Sequence, residues 1–227
     1  FARATEPRPF VFPADHGPHP DFRSEWWYFT GNLETPAGRP FGFQLTLFRF
    51  ALAPEAPGRA STWATRQSYM GHFALADIAG GGFHPFQRLA RGAAGLAGAE
   101  AEPLRVWLED WVVTGRGGER PRFTLEAEEA GVGVRLELES TKPLVLQGER
   151  GLSQKSAEPG NASYYYSLTR LAARGGVTVA GETHPVTGEA WLDREWSTSA
   201  LGPDQAGWDW CALQLEDGRE LMYYQLR

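Results

Sequence analysis

The feature that most constrains this 227-residue chain is an alternation of apolar and polar residues with a period of two. Between positions 132 and 138, Val132, Val134, Leu136 and Leu138 alternate with Gly133, Arg135 and Glu137. Successive side chains of an extended strand point to opposite faces, so this segment has one apolar face and one polar face. The rhythm recurs through Phe41, Phe43, Leu45 and Leu47, and again through Tyr69, Gly71, Phe73 and Leu75. Short runs rich in aromatic and β-branched residues at 25–31, 106–113, 123–127, 163–171, 190–193, 208–215 and 221–225 add further strands, bounded by Gly, Pro or Asp. A helical spacing occurs once, through Phe86, Leu89, Ala90 and Ala93, and predicts one short helix over 86–94. Many strands with almost no helix define an all-β chain whose antiparallel sheet closes as a barrel or packs as a sandwich.

Composition removes several classes of function. With 42% apolar and 22% charged residues the chain can bury a core and is not disordered. No apolar run reaches the ~18 residues that a membrane helix needs. Its one cysteine, Cys211, excludes an internal disulfide and a thiolate zinc site. A net charge of −6 argues against nucleic acid as a partner. Only Lys142 and Lys155 are lysines among the 22 basic residues, and the arginines are spread along the chain instead of forming a patch. No phosphate loop or dinucleotide fingerprint is present, so no cofactor is expected. Gly151-Leu152-Ser153-Gln154-Lys155 lacks the spacing of a nucleophile elbow, and Ser153 reads as a turn residue. His16 and His19 with Asp15 are too few ligands for a metal site; the proline-bounded stretch 13–20 reads instead as a cover over one end of the sheet.

An internal repeat bears on domain organisation. W-W-Y-F-T-G-N-L-E from Trp26 onward, followed by Gly38-Arg39 and Phe41-Gly42-Phe43, is echoed by W-D-W-C-A-L-Q-L-E from Trp208, then Gly218-Arg219 and Leu221-Met222-Tyr223. Each copy is a strand, a polar turn and a returning strand. The repeat predicts a first β domain over 1–185, followed over 186–227 by a linker and the opening hairpin of a second, incomplete one.

The chain resembles the AttH/CrtC-type lipocalin-like proteins, and the AttH-like branch most closely. The residues that carry the resemblance are Asp15-His16-Gly17-Pro18-His19-Pro20, Ser24-Glu25-Trp26-Trp27-Tyr28-Phe29-Thr30-Gly31, Gly42-Phe43-Gln44, Phe48-Arg49, Gly151-Leu152-Ser153, Ala162-Ser163-Tyr164-Tyr165-Tyr166-Ser167, Trp191-Leu192-Asp193-Arg194-Glu195-Trp196 and Gly207-Trp208-Asp209-Trp210. The family includes exported AttH-like proteins, carotenoid 1,2-hydratases and fungal cyclases. What the resemblance implies is two lipocalin-like barrels in tandem, an exported (periplasmic or secreted) protein, and a hydrophobic ligand such as an isoprenoid, polyene or lipid. In the hydratase branch the segment matching Asp193 to Trp196 usually reads D-H-N-W, so Arg194 stands where that branch has a histidine.

Two acids lie beside aromatics and are the candidate catalytic groups, Asp193 and Glu25. A carboxyl pressed against indole rings loses hydration and keeps its proton to higher pH, as protonation of an alkene requires; ion pairs with Arg49 or Arg194 are the structural alternative. Trp26, Trp27, Tyr165, Trp191, Trp196, Trp208 and Trp210 are the candidate ligand-binding aromatics, with Arg194 fixing a polar end of the ligand; a plain aromatic core is the alternative. The expected function is hydrophobic ligand binding, with hydration or cyclisation of such a ligand as the enzymatic alternative. The resemblance further suggests an accessory role in a membrane transport complex. The terminal hairpin, with an aromatic edge over 208–215, would favour a homodimer.

Overall fold

The computed structural model describes residues 1–55, 58, 60–199, 201–202 and 204–227. Its strands are β1 (Ser24–Glu34), β2 (Pro40–Ala51), β3 (Gln67–Asp77), β4 (Gly82–Arg91), β5 (Ala97–Ala101), β6 (Leu104–Leu108), β7 (Trp111–Arg116), β8 (Arg122–Glu129), β9 (Val132–Ser140), β10 (Val145–Leu146), β11 (Leu152–Gln154), β12 (Ala162–Val179), β13 (Glu182–Ser197), β14 (Trp208–Gln214) and β15 (Glu220–Leu226). Thirteen belong to one antiparallel sheet with the order β4-β3-β2-β1-β13-β12-β9-β8-β7-β6-β5, and the short β10 and β11 also pair with β12. The two ends of this path, β4 and β5, are consecutive in sequence, and the sheet curls into a nearly closed barrel. β14 and β15 form a separate two-stranded hairpin.

Alternation decides which side chains fill the barrel. Phe29, Phe41, Leu45, Phe73, Val106, Trp111, Leu125, Leu136 and Leu192 lie on its inner face, each buried, in one continuous cluster. Gly71 belongs to the same row; a side chain there would meet Leu108 and the Trp111 ring within about 3 Å, so the missing Cβ makes room for the indole. The interior is thus packed with side chains. The segment before β1 crosses one end of the barrel. It buries Ala4, with Phe10, Phe12 and Phe22, against Tyr164, Tyr166 and Trp196, and a side chain on Gly17 would collide with Ala101 on the opposite wall. Residues 13–20 therefore do help to cover an end of the sheet.

Three sequence expectations are corrected. The 86–94 stretch is not a helix: it falls mostly in β4, an edge strand whose Leu89 and Phe83 point to solvent. The apolar positions at 86, 89, 90 and 93 fit a helix only because an edge strand tolerates apolar residues on its outer face. The single strand expected over 106–113 is two, β6 and β7, with a tight turn at Glu109, whose φ is +58°. Ser153 is not in a turn but in β11, opposite Ser163.

The domain boundary expected at 185/186 falls inside β13. That strand pairs with β12 from Glu182 onward and with β1 from Thr187 to Ser197, so the large sheet runs to Ser197. The hairpin packs on the barrel's outer surface and is held there by polar contacts. Lys142 Nζ and Arg170 Nε reach Glu220 at 2.8 and 2.7 Å, and Gln214 Nε2 donates to Thr169 O at 2.8 Å and Ala190 O at 3.1 Å. Thr169 lies in the β12 bulge between Leu168 and Leu171, where the register breaks and a carbonyl is left for the hairpin to use.

The alternation makes a direct test. Leu136→Asp puts a carboxylate in the packed interior and is expected to abolish folding, whereas the neighbouring Arg135→Gln, on the solvent face, should shift stability by no more than ~0.5 kcal/mol in urea unfolding.

Candidate functional site

β13 carries Leu192, Arg194 and Trp196 on the inner face of the barrel, and Trp191, Asp193 and Glu195 on the outer face. The pairing with β1 sets Arg194 beside Trp27 and Trp196 beside Glu25 inside, and Asp193 beside Tyr28 and Glu195 beside Trp26 outside. The sequence-predicted site residues therefore separate into two groups on opposite sides of one wall.

The inner group is a buried charge network. Glu25, with no exposed surface, is ion-paired to both Arg49 and Arg194, which are equally buried. His19 adds its backbone N–H at 3.0 Å and its ring at 3.3 Å, and Arg194 also donates to Gly17 O at 2.5 Å. Burial alone would raise the Glu25 carboxyl; Arg194, the His19 hydrogen bond and Arg49 outweigh it and hold the group well below the usual carboxylate range. Arg194 stacks between Trp27 and Trp196, 4.0 and 5.1 Å from the ring centroids, and the His19 ring lies flat on Trp196 at 3.7 Å. His16 joins Tyr166 Oη at 2.6 Å and Gly118 O at 2.7 Å; burial, reinforced by the charge of Arg194, lowers it to about 4 and keeps it neutral. Glu25, Trp27, Arg194 and Trp196 are thus structural. Arg194 cannot fix a ligand's polar end, because every donor on its guanidinium faces protein. A Glu25 held ionised cannot be a proton donor. Removing one member of such a network typically costs about 3–5 kcal/mol, because an unpaired charge stays buried.

The outer group does line a cavity. Trp26, Tyr28, Phe48, Tyr165 and Asp193 on the barrel wall face Trp208, Trp210, Tyr224 and Leu226 on the hairpin, around about 310 Å³. Tyr28 and Trp210 meet edge to face at 5.5 Å, and Trp191 packs on Trp210 at 6.2 Å. Trp191 does not line this cavity but donates its Nε1–H to Asp193 Oδ1 at 2.7 Å, while Ser167 Oγ donates to the same oxygen at 2.6 Å. Asp193 has no cationic partner among the described residues. Burial pushes its pKa up to about 6, opposed by the hydrogen bonds from Ser167, Trp191 and Tyr165 and aided by the charge of Glu195. It is a carboxylic acid poised near neutrality at the edge of an aromatic cavity. Sequence reasoning noted Glu195 beside the tryptophans without making it a site residue, and it missed Lys155 and Tyr224; all three line this cavity, and the scarcity of lysine was the one signal that set Lys155 apart.

The nearly closed antiparallel barrel, capped by its N-terminal segment, defines a lipocalin-like all-β protein. Residues 3–227 match the family described as AttH-like, and the chain belongs to that family. A Nitrosomonas europaea protein assigned as an AttH is 42% identical and superposes with a TM-score of 0.88, over 100% of this chain and 68% of that one. Kievitone hydratase from Nectria haematococca has a similar fold, with a TM-score of 0.61 at 12% identity, over 99% of this chain and 69% of that one. No curated protein matches by sequence.

The pKa of Asp193 carries a sign that can be measured. Its folded value lies above the ordinary 3.8, so the unfolded chain releases this proton first, and stability that is present in acid is lost as pH rises from 3.8 to about 6. Asp193→Asn keeps an acceptor for Ser167 and Trp191 without titrating. It should gain on the native protein, by on the order of 3 kcal/mol, between pH 4 and pH 7. A stability difference that does not change with pH would contradict a buried, protonatable Asp193.

Proposed function

We propose that this chain binds a hydrophobic small molecule in the cavity between the outer barrel wall and the β14–β15 hairpin, and that it works as an exported protein, as the family resemblance implies. The observation that carries this reading is the composition of the cavity wall: seven aromatic rings from two structural units, closing around two buried acids, of which Glu195 is paired with Lys155 and Asp193 has no cationic partner among the described residues. Small-molecule sites of ~300–1,000 Å³ have this character, largely apolar with a few placed polar groups. The barrel interior is filled by its own side chains, which supports a site on the outer wall over one inside the barrel.

A second reading is supported by the state of Asp193. A carboxylic acid that keeps its proton to about pH 6 can protonate an alkene carbon. Water then adds to the cation, and the Asp193 carboxylate takes back the proton that the added water gives up, which completes a hydration with the acid restored. Arg194 has no part in this route, since it lies on the other side of the wall.

Native mass spectrometry of the protein purified from its own host tests the binding reading. A noncovalent apolar molecule, released by organic extraction and lost in Trp210→Ala, is the expected result; a folded protein that carries nothing and takes up no apolar probe would refute it. If the recovered molecule contains an alkene, the hydration reading expects the native protein to add one water to it and Asp193→Asn to bind it unchanged.

A further inference from the structure

Lys155 is a cation built into the wall of the same cavity, and neither ligand binding in general nor proton transfer by Asp193 accounts for it. Its side chain is 10% exposed, with Nζ 2.7 Å from Glu195 Oε1 and 3.2 Å from Ser153 Oγ, to which it donates. An ammonium has three N–H donors. The third has no oxygen partner among the described residues, and Nζ lies over the rings of Tyr165 and Tyr224, 5.4 and 5.0 Å from their centroids. Ser153 Oγ is also 3.1 Å from Tyr224 Oη.

A serine, a lysine and a tyrosine so grouped invite comparison with acyl-transfer sites, but the geometry opposes it. Lys155 is ion-paired to Glu195, and an ammonium has no lone pair with which to take a proton from Ser153. Ser153 is buried and is absent from the cavity lining, which includes Lys155 and Tyr224. The lysine therefore serves as a donor.

A second donor lies on the hairpin side of the cavity. Trp210 lines the cavity, and its indole N–H is buried without an acceptor among the described residues. A buried donor left unpaired is costly, so a ligand that brings an acceptor gains by more than the contact alone. Charge narrows the choice of acceptor. The Lys155 charge is already balanced by Glu195, and Asp193 places a second carboxyl on the same wall, so the site offers hydrogen-bond donors without net positive charge. An anion would meet two acids.

We infer that Lys155 is the polar anchor of the ligand, and that the ligand is a compact neutral ketone or enone whose carbonyl oxygen accepts from Lys155 and Trp210, in preference to a pure hydrocarbon or a carboxylate. This rests on the cavity being the ligand site.

Equilibrium dialysis of the full chain against acetylnaphthalene, its hydrocarbon isostere isopropenylnaphthalene, and naphthoate tests the inference. The native protein should bind the ketone more tightly than naphthoate. In Lys155→Met combined with Glu195→Gln, which removes cation and partner together and strands no charge, the ratio of ketone to hydrocarbon affinity should fall by about tenfold or more. An unchanged ratio, or naphthoate bound more tightly than the ketone, overturns the inference while leaving the cavity as a ligand site. Failure of folded native protein to bind any of the three refutes the cavity reading and this inference with it. Should the double variant not fold, the ranking of the three probes on the native protein decides alone.

Discussion

The two-residue period of β13 is the constraint on which the rest of this molecule depends. Within six residues, three side chains enter the barrel and three leave it, and the wall between them separates two electrostatic environments. Glu25, on the inner side, lies between two guanidiniums and is held ionised. Asp193, on the outer side, has a hydroxyl, an indole N–H and aromatic rings for neighbours, and burial raises it. Two carboxyls on neighbouring strands of one sheet are driven in opposite directions by what surrounds them, one held ionised inside a charge network that ties the fold together and the other raised at the edge of an aromatic cavity.

The cavity is bipartite. Half of its wall is the convex side of a barrel that is already full, and the other half is a hairpin that would be marginal by itself in water. The hairpin keeps its position through Glu220, Gln214 and the rings of Trp210 and Tyr224, so the contacts that dock it are continuous with those that shape the site. In a barrel that holds its ligand inside, the interior sets the size limit. Here the width of the outer cavity is set by how closely two units approach, and the aromatic residues of the W-D-W segment do double duty as packing and as lining.

Much of the fold was legible in the sequence because alternation is a direct print of the pleat. β2, β3 and β9 extend segments marked by it, β1, β12 and β13 extend the aromatic and β-branched runs at 25–31, 163–171 and 190–193, and the repeat at Trp26 and Trp208 marks two hairpins that the structure contains, β1–β2 and β14–β15. The errors have local causes. At β4, apolar residues on both faces of an edge strand imitate a helical stripe, and at Glu109 a turn without glycine hides a break between two strands. The candidate site was half legible. Acids beside tryptophans were visible, but parity relative to the barrel axis was not, and that parity separates Arg194 from Asp193. Lys155 and Tyr224 lie 69 residues apart in sequence and come together only because the hairpin folds back on β11 and β12.

The only two lysines of the chain, Lys142 and Lys155, both stand at the seam between barrel and hairpin, one on Glu220 and the other beside Tyr224. Elsewhere the basic side chains are guanidiniums. Primary amines on side chains are therefore confined to one junction, and any chemistry selective for them, whether acylation in a cell or a labelling reagent on the bench, would act on that junction and report whether the hairpin is seated.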